Sequence, residues 1–332
     1  MLFYLTCVAH FRFELLVQIP QVDMKVLYSG TAADVPADCV WLVPGVSVGN
    51  AGQQCIDLLL QTLQASKSEQ CPVQEVGVVV SQHVRSIASS SVFDEEAGKV
   101  HTEMTLYHVP AASVIILQQR SRCHEGFEEA WAAELADFAA AAGSKGIVVL
   151  AGAQAFMDGD AAISQAKGPE VRPLLFQCSE ASSSPASASG SGSEPASAND
   201  VLLVAGKKVF GDAFSAISVN TDVTSADASF ATIKAVVARA FEQLQGCGLA
   251  ARFARRGVAV GLPVLVVPIT LNEGLNAPEA LILAHVSQVL LGLVTDASGA
   301  AVPPPQVSWK EPPSWKMPEG PAPPPMFFLG SK

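Results

Sequence analysis

Apolar and polar positions change period along this chain, and each change predicts a boundary between a strand and a helix. In residues 41–63 a short apolar run ends at Pro44, a glycine-rich turn follows, and apolar residues then recur at i, i+3, i+4 and i+7. The run predicts a strand, and the later spacing predicts a helix with a buried stripe of Ile56, Leu59, Leu60 and Leu63. Residues 41–63 are therefore expected to form a strand, a turn and a helix, the building unit of an α/β sheet.

Similar runs predict the other elements of the fold. Strands are predicted at residues 25–27, 40–43, 76–80, 146–150 and 262–269, and those at 76–80 and 262–269 are expected to be buried. Residues 100–109 and 114–118 are expected to form a hairpin or two neighbouring strands. Helices are predicted at residues 127–142 and 230–244 and after Asn276, and residues 201–210 are interpreted as a strand with a turn.

The helix at residues 127–142 indicates the fold class. Phe127, Trp131, Leu135 and Phe138 share one face, and Gly143 is suited to the C-cap. A β-branched strand follows at once at residues 146–150. A helix, a glycine and a buried strand in this order favour an α/β fold with a parallel sheet and helices on its faces.

The last predicted helix has an apolar side that packs either on the core or on a partner protein. Asn276 is expected to cap it, with Glu279 completing a capping box. Its apolar residues are expected to face inward or toward a partner; they are Leu281, Ile282, His285, Val289 and Leu293.

The polar residues of the first turn are the main candidates for function. Ser47, Asn50, Gln53 and Gln54 cluster where an α/β sheet places a site or an interface, and Asn50 is expected to cap the next helix with Gln53 in capping-box position. Residues 45–49 match G-x-S-x-G, in which Ser47 would be a hydrolase nucleophile. Few strands precede it, however, and the late His285 lies within a helix.

Two other interpretations of the turn stay open. Glycines before a helix N-terminus suit a phosphate, although the G-x-x-x-G-x-x-G spacing is neither a dinucleotide fingerprint nor a Walker loop. Alternatively, the tight turn packs the helix on the sheet and presents a surface to a partner.

Composition narrows the function classes. Of 332 residues, 49% are hydrophobic and 15% are charged, which predicts a large core and apolar surface that needs a partner. A net charge of −11 argues against nucleic acid and anionic membranes as partners. Seven scattered cysteines without C-x-x-C predict reduced thiols in the cytoplasm or nucleus and no zinc site. His101 and His108 are interpreted as exposed strand histidines.

Changes of composition divide the chain. Residues 1–23 lack the basic start and cleavage site of a signal peptide and are interpreted as an extension. Residues 24–310 are expected to form one α/β domain, interrupted at 180–200 by a disordered Ser/Ala-rich insertion. Residues 311–332 are expected to form a Pro-rich tail.

Two further groups of residues are candidates for partner binding. Arg252, Arg255 and Arg256 form a basic cluster, interpreted as a solvated helix face with docking of an acidic surface as the alternative. From residue 302 the proline content favours polyproline II over helix. Two Ser-Trp-Lys repeats place Trp309 and Trp315 there, and the apolar end of the tail is Met326, Phe327 and Phe328.

Four stretches together resemble the proteasome assembly chaperone 2 family. They are LVPGVSVGNAGQ (42–53); IILQQRS (115–121) with GIVVLAG (146–152); LQGCGLAARF (244–253) with NEGLNAPEALIL (272–283); and the ending WKEPPSWKMPEGPAPPPMFF (309–328). They occur in order over most of the chain, and the first and last are distinctive.

The resemblance implies a fold, a role and partners. The fold would be a three-layer α/β/α sandwich with a mainly parallel central sheet. The role would be non-enzymatic and without cofactor or metal: pairing with proteasome assembly chaperone 1 and promoting α-ring formation of the core particle by contact with α subunits. The family's tails end in a hydrophobic–aromatic–any motif that enters pockets between α subunits. Here residues 329–332 extend past Met326, Phe327 and Phe328 and move the terminal carboxylate away from that motif. The alternative function is a serine hydrolase or nucleoside-phosphorylase-like enzyme that uses the turn at residues 45–52.

Overall fold

The computed structural model describes residues 25–27, 35–66, 73–90, 100–154, 171, 173–179, 198–210, 215–220, 244, 246–271, 276–296 and 298–315. In these residues the strands are β1 (Lys25–Leu27), β2 (Val40–Pro44), β3 (Gln74–Val80), β4 (Ser89–Ser90), β5 (Val100–His101), β6 (Met104–Val109), β7 (Val114–Gln119), β8 (Gly146–Gln154), β9 (Leu174–Ser179), β10 (Ser215–Asn220) and β11 (Val264–Leu271). The helices are α1 (Ala51–Ala65), α2 (Glu128–Ala141), α3 (Ala198–Phe210), α4 (Ala250–Ala259) and α5 (Ala277–Leu291).

Nine strands form one sheet in the order β1-β3-β6-β7-β2-β8-β11-β9-β10. The central strands β7, β2, β8 and β11 pair in parallel, as do β9 and β10 at one edge. The pairs β1–β3, β3–β6, β6–β7 and β9–β11 are antiparallel. Strands β4 and β5 pair separately.

Helices cover both faces of this sheet. Alternate residues of β2 point to opposite faces, so Trp41 and Val43 join the core that includes Trp131 of α2 and Phe253 of α4. Leu42 joins the second core, beneath α1, α3 and α5. The predicted three-layer α/β/α sandwich is confirmed; its parallel pairing is concentrated at the centre of the sheet, and the flank from β1 to β7 is antiparallel.

Several predicted elements are confirmed in place. The stripe Ile56, Leu59, Leu60 and Leu63 is buried in the second core. Strands β6 and β7 are antiparallel neighbours joined by a 3-10 turn at Pro110–Ala112. β11 is almost entirely buried, as expected of a central strand covered on both faces.

Other expectations are wrong. Residues 201–210 form most of helix α3 and not a strand, because Leu202 is buried in the second core and residues at helical spacing, among them Ala205 and Val209, pack against that core. Strand β3 is only partly buried, and Val80 is 37% exposed, since it lies near the sheet edge. Phe127 is 46% exposed just before α2. His101 is buried, 2% exposed, and is not a surface histidine.

The buried side of α5 also differs from the predicted one. Its buried residues are Ala280, Leu283, Ala284, Ser287, Gln288 and Leu290. Of the predicted face, Leu293 beyond the helix is buried and Val289 is exposed, while the others are partly covered. The small residues Ala280 and Ala284 lie in the second core together with the stripe of α1, and small side chains allow packed helices to approach closely.

The predicted capping boxes do not form. Asn50 and Asn276 occupy the N-cap positions of α1 and α5, but neither side chain makes a capping hydrogen bond. Asn50 has a left-handed backbone (φ 52°), whereas a capping residue is usually extended.

Some predictions fall outside the described residues. These are the helix at 230–244 except Leu244, the insertion up to residue 197, the extension at 1–23, and residues 316–332 with Met326, Phe327 and Phe328. Helix α3 begins within the last three residues assigned to the insertion. Among the helices of the described part, none combines the length and apolar character needed to cross a membrane.

Candidate functional site

The first turn, at residues 45–50, has three residues with positive backbone φ angles. Val46 and Asn50 have φ of 38° and 52°, and Gly49 has φ of 67°. A positive φ is strained for a β-branched residue such as Val46. Hydrogen bonds hold this shape: the Gly45 N–H donates to the Leu150 carbonyl at 2.7 Å, and the Leu249 N–H donates to the Gly45 carbonyl at 2.8 Å.

Ser47 is part of this scaffold. Its Oγ accepts a hydrogen bond from the Gly152 N–H at 2.6 Å, which ties the turn to the end of β8. Within the described residues, Ser47 has no hydrogen-bonded histidine or carboxylate, whereas a serine nucleophile needs an adjacent base. The same residues contain no group of three or more His, Cys, Asp or Glu suited to a metal ion. The geometry supports the structural interpretation of Ser47.

Three glycines allow other segments to approach the turn. A Cβ on Gly52 would lie 2.4 Å from the Leu150 carbonyl oxygen, and one on Gly248 would lie 2.4 Å from the Val46 carbonyl oxygen. At Gly49 a Cβ would lie 2.1 Å from Asn276 Nδ2. These contacts require glycine at each position.

Asn276 completes the junction from the start of α5. Its buried side chain donates from Nδ2 to the Gly49 carbonyl at 3.2 Å, which explains why it does not cap its own helix. The turn therefore joins the end of β8, the residues before α4 and the start of α5. These segments lie in the resembling stretches 42–53, 146–152, 244–253 and 272–283, so four of those motifs meet at one point of the fold.

A cleft lies beside this junction, at the carboxyl ends of β2 and β7. Helix α1 follows β2 on one face of the sheet, and α2 follows β7 on the other. Such a divergence leaves a crevice in α/β folds. The cleft has a volume of about 270 Å³ and is lined by Asn50, Gln53, Gln54, Asp57, Gln119, Arg120 and Trp315.

A charged pair forms part of the cleft wall. Asp57 Oδ1 accepts hydrogen bonds from Gln118 Nε2 at 2.7 Å and from an Arg120 guanidinium nitrogen at 3.3 Å. Both side chains are largely buried, 17% and 12% exposed. Burial raises the pKa of Asp57, against the opposing effects of Arg120 and Gln118. The pair is electrically neutral overall, so the cleft does not select a ligand by net charge.

Three glutamines and Asn50 supply the remaining polar lining. The Oε1 atoms of Gln53, Gln54 and Gln119 are buried and have no hydrogen-bond partner within the described residues. Gln119 is 1% exposed, and its Nε2 is bound to the Ser121 carbonyl at 2.9 Å. A buried amide oxygen without a partner is unfavourable. The amide groups of the cleft therefore suit a ligand or side chain with several N–H donors.

The chain after α5 runs back to the cleft as a C-terminal strap (residues 302–315). Gln288 anchors its start by donating from Nε2 to the Val302 carbonyl at 2.8 Å. The Lys310 N–H donates to Thr62 Oγ1 on α1 at 3.0 Å, and the Trp309 ring contacts His285 with centroids 5.5 Å apart. Trp315 then forms a wall of the cleft. The strap contains 3-10 turns at Pro304–Gln306 and Pro313–Trp315, so it is not purely polyproline II as expected.

The basic cluster on α4 lies elsewhere. Arg256 forms two hydrogen bonds with the Asp137 carboxylate, at 2.6 and 2.7 Å, and Arg252 and Arg255 lie within 4 Å of Glu129. These contacts join α4 to α2, and none of the three arginines lines the cleft. A solvated helix face is therefore an incomplete description, because the arginines pair within the chain. Docking of an acidic partner here stays a prediction.

The structure thus brings Asn50, Gln53 and Trp315 together, with Ser47 in the adjoining turn and Trp309 in the strap. The sequence interpretation missed Asp57, Gln118, Gln119 and Arg120. Two signals were available: Asp57 is the one charged residue in the printed sequence of α1, and the other three follow an apolar strand run directly.

Comparisons with known proteins agree with this fold. The segment matching Xenopus tropicalis proteasome assembly chaperone 2 is 32% identical over 95 residues, 28% of this chain and 33% of that protein. The segment matching the mouse protein of the same name is 25% identical over 140 residues, 41% and 49% of the two chains. This chain therefore matches a third to a half of those relatives' own length.

A solved structure and a family model extend the match. Pyrococcus furiosus PbaA in its monoclinic form, an archaeal homologue of proteasome-assembly chaperone, has a TM-score of 0.50 at 11% identity, covering 82% of this chain and 84% of that one. At this identity the likeness shows a common fold. The PAC2 family model matches residues 41–299, well over half of the sequence, and this range includes the first turn and α1. The chain belongs to the PAC2 family.

Proposed function

We propose that this chain is a non-enzymatic proteasome assembly chaperone of the cytoplasm and nucleus. It pairs with proteasome assembly chaperone 1, contacts proteasome α subunits and promotes formation of the α ring of the core particle. Membership of the PAC2 family supports the assembly role, and the relatives named above carry the same function in their names.

The cleft beside the first turn is the main structural support for binding of a partner protein. Gln53, Gln54 and Gln119 present buried amide oxygens without partners, and Trp315 supplies an aromatic wall. Glutamine amides and a tryptophan ring can take up a partner's N–H groups and the apolar part of its side chain. The neutral Asp57–Arg120 pair and the backbone hydrogen bonds of the turn hold these groups in place. A prepared polar cleft of this kind suits recognition of a protein surface.

The strap links this cleft to the tail. Residues 302–315 are fixed on α1 and α5, and Trp315, the last described residue, lies in the wall of the cleft. In the proposal Met326, Phe327 and Phe328 contact α subunits, and the body contacts the partner chaperone. The two contacts are then separable by mutation.

The experiment is purification of the tagged protein from its own cells, followed by mass spectrometry. The double variant Gln53→Ala/Gln54→Ala is compared with Gln306→Ala, which alters an exposed glutamine on the strap. The proposal predicts that the double variant loses the partner chaperone and that Gln306→Ala keeps it. Equal recovery of the partner chaperone with both variants would contradict the proposal that the cleft binds it.

A second comparison tests the tail separately. A chain truncated after Pro325 lacks Met326, Phe327 and Phe328 and is expected to keep the partner chaperone while recovering fewer α subunits. Unchanged recovery of α subunits would assign their binding to the body. A fluorophosphonate probe tests the enzyme alternative: labelling that disappears in Ser47→Ala would contradict the non-enzymatic role.

A further inference from the structure

A second polar surface lies at the same edge of the sheet, built by the loops after β3 and β7. Val84 and Cys123 form an isolated antiparallel bridge between these loops. The Arg85 N–H donates to the Arg122 carbonyl at 3.1 Å, and the His124 N–H donates to the His83 carbonyl at 2.9 Å. Residues 83–85 and 122–124 thus form a short two-stranded ribbon.

The register of this ribbon places four basic side chains on one face. Opposite residues of an antiparallel pair share a face, and successive residues alternate between faces. Val84 and Cys123 are buried, which assigns them to the inner face. The outer face then carries His83, Arg85, Arg122 and His124, here called the basic face; Arg122 and His124 are exposed.

The two arginines of the basic face are not neutralised within the described part of the chain. Neither Arg85 nor Arg122 forms an ion pair in that part of the chain, unlike the arginines of α4, which contact Glu129 and Asp137. Glu125 and Glu128 follow the ribbon in sequence, but no carboxylate of the described residues lies within 4 Å of the two guanidinium groups.

An exposed aromatic ring adjoins the basic face. Phe127 is 46% exposed, and its ring stacks on His83 with centroids 5.5 Å apart and an interplanar angle of 23°. Cationic donors beside an apolar ring suit an acidic segment that also carries an aromatic or aliphatic side chain. A guanidinium group binds carboxylates in a two-pronged geometry, so Arg85 and Arg122 can each take one carboxylate of such a segment.

We infer that the basic face docks an acidic, hydrophobic-containing segment of a partner protein. The surface is separate from the cleft, since none of its four residues lines it. It also differs from the basic cluster on α4, whose arginines are already paired within the chain. The inference does not depend on which assembly the protein serves.

The test is fluorescence anisotropy of the full chain with a fluorescein-labelled peptide of alternating Asp and Glu around one Phe. A peptide with Asn and Gln at the acidic positions is the neutral control. The acidic peptide is expected to bind at least tenfold more tightly. The double variant Arg85→Ala/Arg122→Ala is expected to weaken binding about tenfold, because two charge-assisted contacts are lost.

Matched variants distinguish a docking surface from general electrostatics. Lys207→Ala/Lys208→Ala on α3 removes the same charge at two exposed positions and is expected to change affinity less than twofold. Arg122→Ala alone, at an exposed position, gives an intermediate loss without disturbing the core, and Phe127→Ala weakens the peptide without changing net charge. Equal losses in the two double variants, equal binding of the acidic and neutral peptides, or full competition by inorganic phosphate would each overturn the inference.

Discussion

Substitution of Gly248 by alanine tests the packing of the first turn directly. Gly248 has φ of 60°, and a Cβ there would lie 2.4 Å from the Val46 oxygen, 2.9 Å from the Gly45 oxygen and 2.9 Å from Ser47 Cα. Two of these neighbours are carbonyl oxygens and all are backbone atoms, so no side-chain rotation relieves the overlap. The loop or the turn must move instead.

The expected loss follows from three contributions. A left-handed alanine costs about 1–2 kcal/mol, partly offset by about 0.4–1 kcal/mol because alanine has less freedom in the unfolded chain. Separating the two segments weakens the hydrogen bond from the Leu249 N–H to the Gly45 carbonyl, worth about 1 kcal/mol. Repacking an overfilled contact adds about 1–3 kcal/mol. Gly248→Ala is therefore expected to lower the free energy of unfolding by about 2–6 kcal/mol.

Gly261→Ala is the matched control at the other end of α4. Gly261 has φ of 73°, but nothing lies within 4 Å of a Cβ placed there. It isolates the backbone strain, and its expected loss is about 1 kcal/mol. Urea unfolding followed by tryptophan fluorescence measures both variants. Losses that agree within about 0.5 kcal/mol would refute the claim that close packing of the turn requires Gly248.

Three further predictions concern the body of the protein. A double-mutant cycle on Asp137 and Arg256 should give a coupling of about 0.5 kcal/mol that declines with salt, because both side chains are more than a third exposed; a coupling above about 2 kcal/mol would contradict this assignment. Burial raises the pKa of the Cys123 thiol to about 12. The contribution of Cys123 to the free energy of unfolding is therefore complete below the pKa of the thiol in the unfolded chain, and it falls by about 1.4 kcal/mol per pH unit above that pKa. Urea unfolding at neutral and alkaline pH should therefore show a smaller alkaline loss in Cys123→Ala, and an unchanged loss would contradict it. Trp309→Ala should lower stability by about 2 kcal/mol and speed tryptic cleavage after Lys310, as seen by mass spectrometry, whereas wild-type rates would mean that Trp309 does not hold the strap.

The layered fold was predictable because several strong patterns agree. The apolar stripe of α1 keeps helical spacing over the whole helix, and β2 is apolar without interruption. Gly143, which has a positive φ, follows the end of α2 as expected. These patterns depend on burial against a neighbouring layer, which any α/β sandwich supplies. Sheet order and the antiparallel flank depend on contacts between distant segments, which periodicity does not encode.

Local ambiguity explains the misassigned elements. Residues 201–210 contain a short apolar run and Gly206, which fit a strand and turn as well as a helix. Packing of Leu202 against the second core decides in favour of α3. In α5 apolar residues occur on every side of the helix, so periodicity does not identify the buried side. The buried side contains the small Ala280 and Ala284 and also the polar Ser287 and Gln288.

The candidate site was only half predictable for a similar reason. Asn50 and Gln53 were expected to cap α1, and they are near the cleft because the same turn positions both. Gln119 and Trp315 are nearly 200 residues apart in sequence, and the sheet and strap bring them together. Asn276 was expected to cap α5, but its side chain binds the Gly49 carbonyl instead, because Gly49 has no side chain that would occupy this space.

Co-purification distinguishes an assembly chaperone from a protein without partners in proteasome assembly. The full-length tagged chain is isolated from its own cells under native conditions, and its partners are identified and quantified by mass spectrometry. The account predicts a second assembly chaperone in near-equal amount, together with proteasome α subunits that are not yet in mature particles. Recovery of the chain alone, with neither the second chaperone nor α subunits above background, would contradict the assembly role.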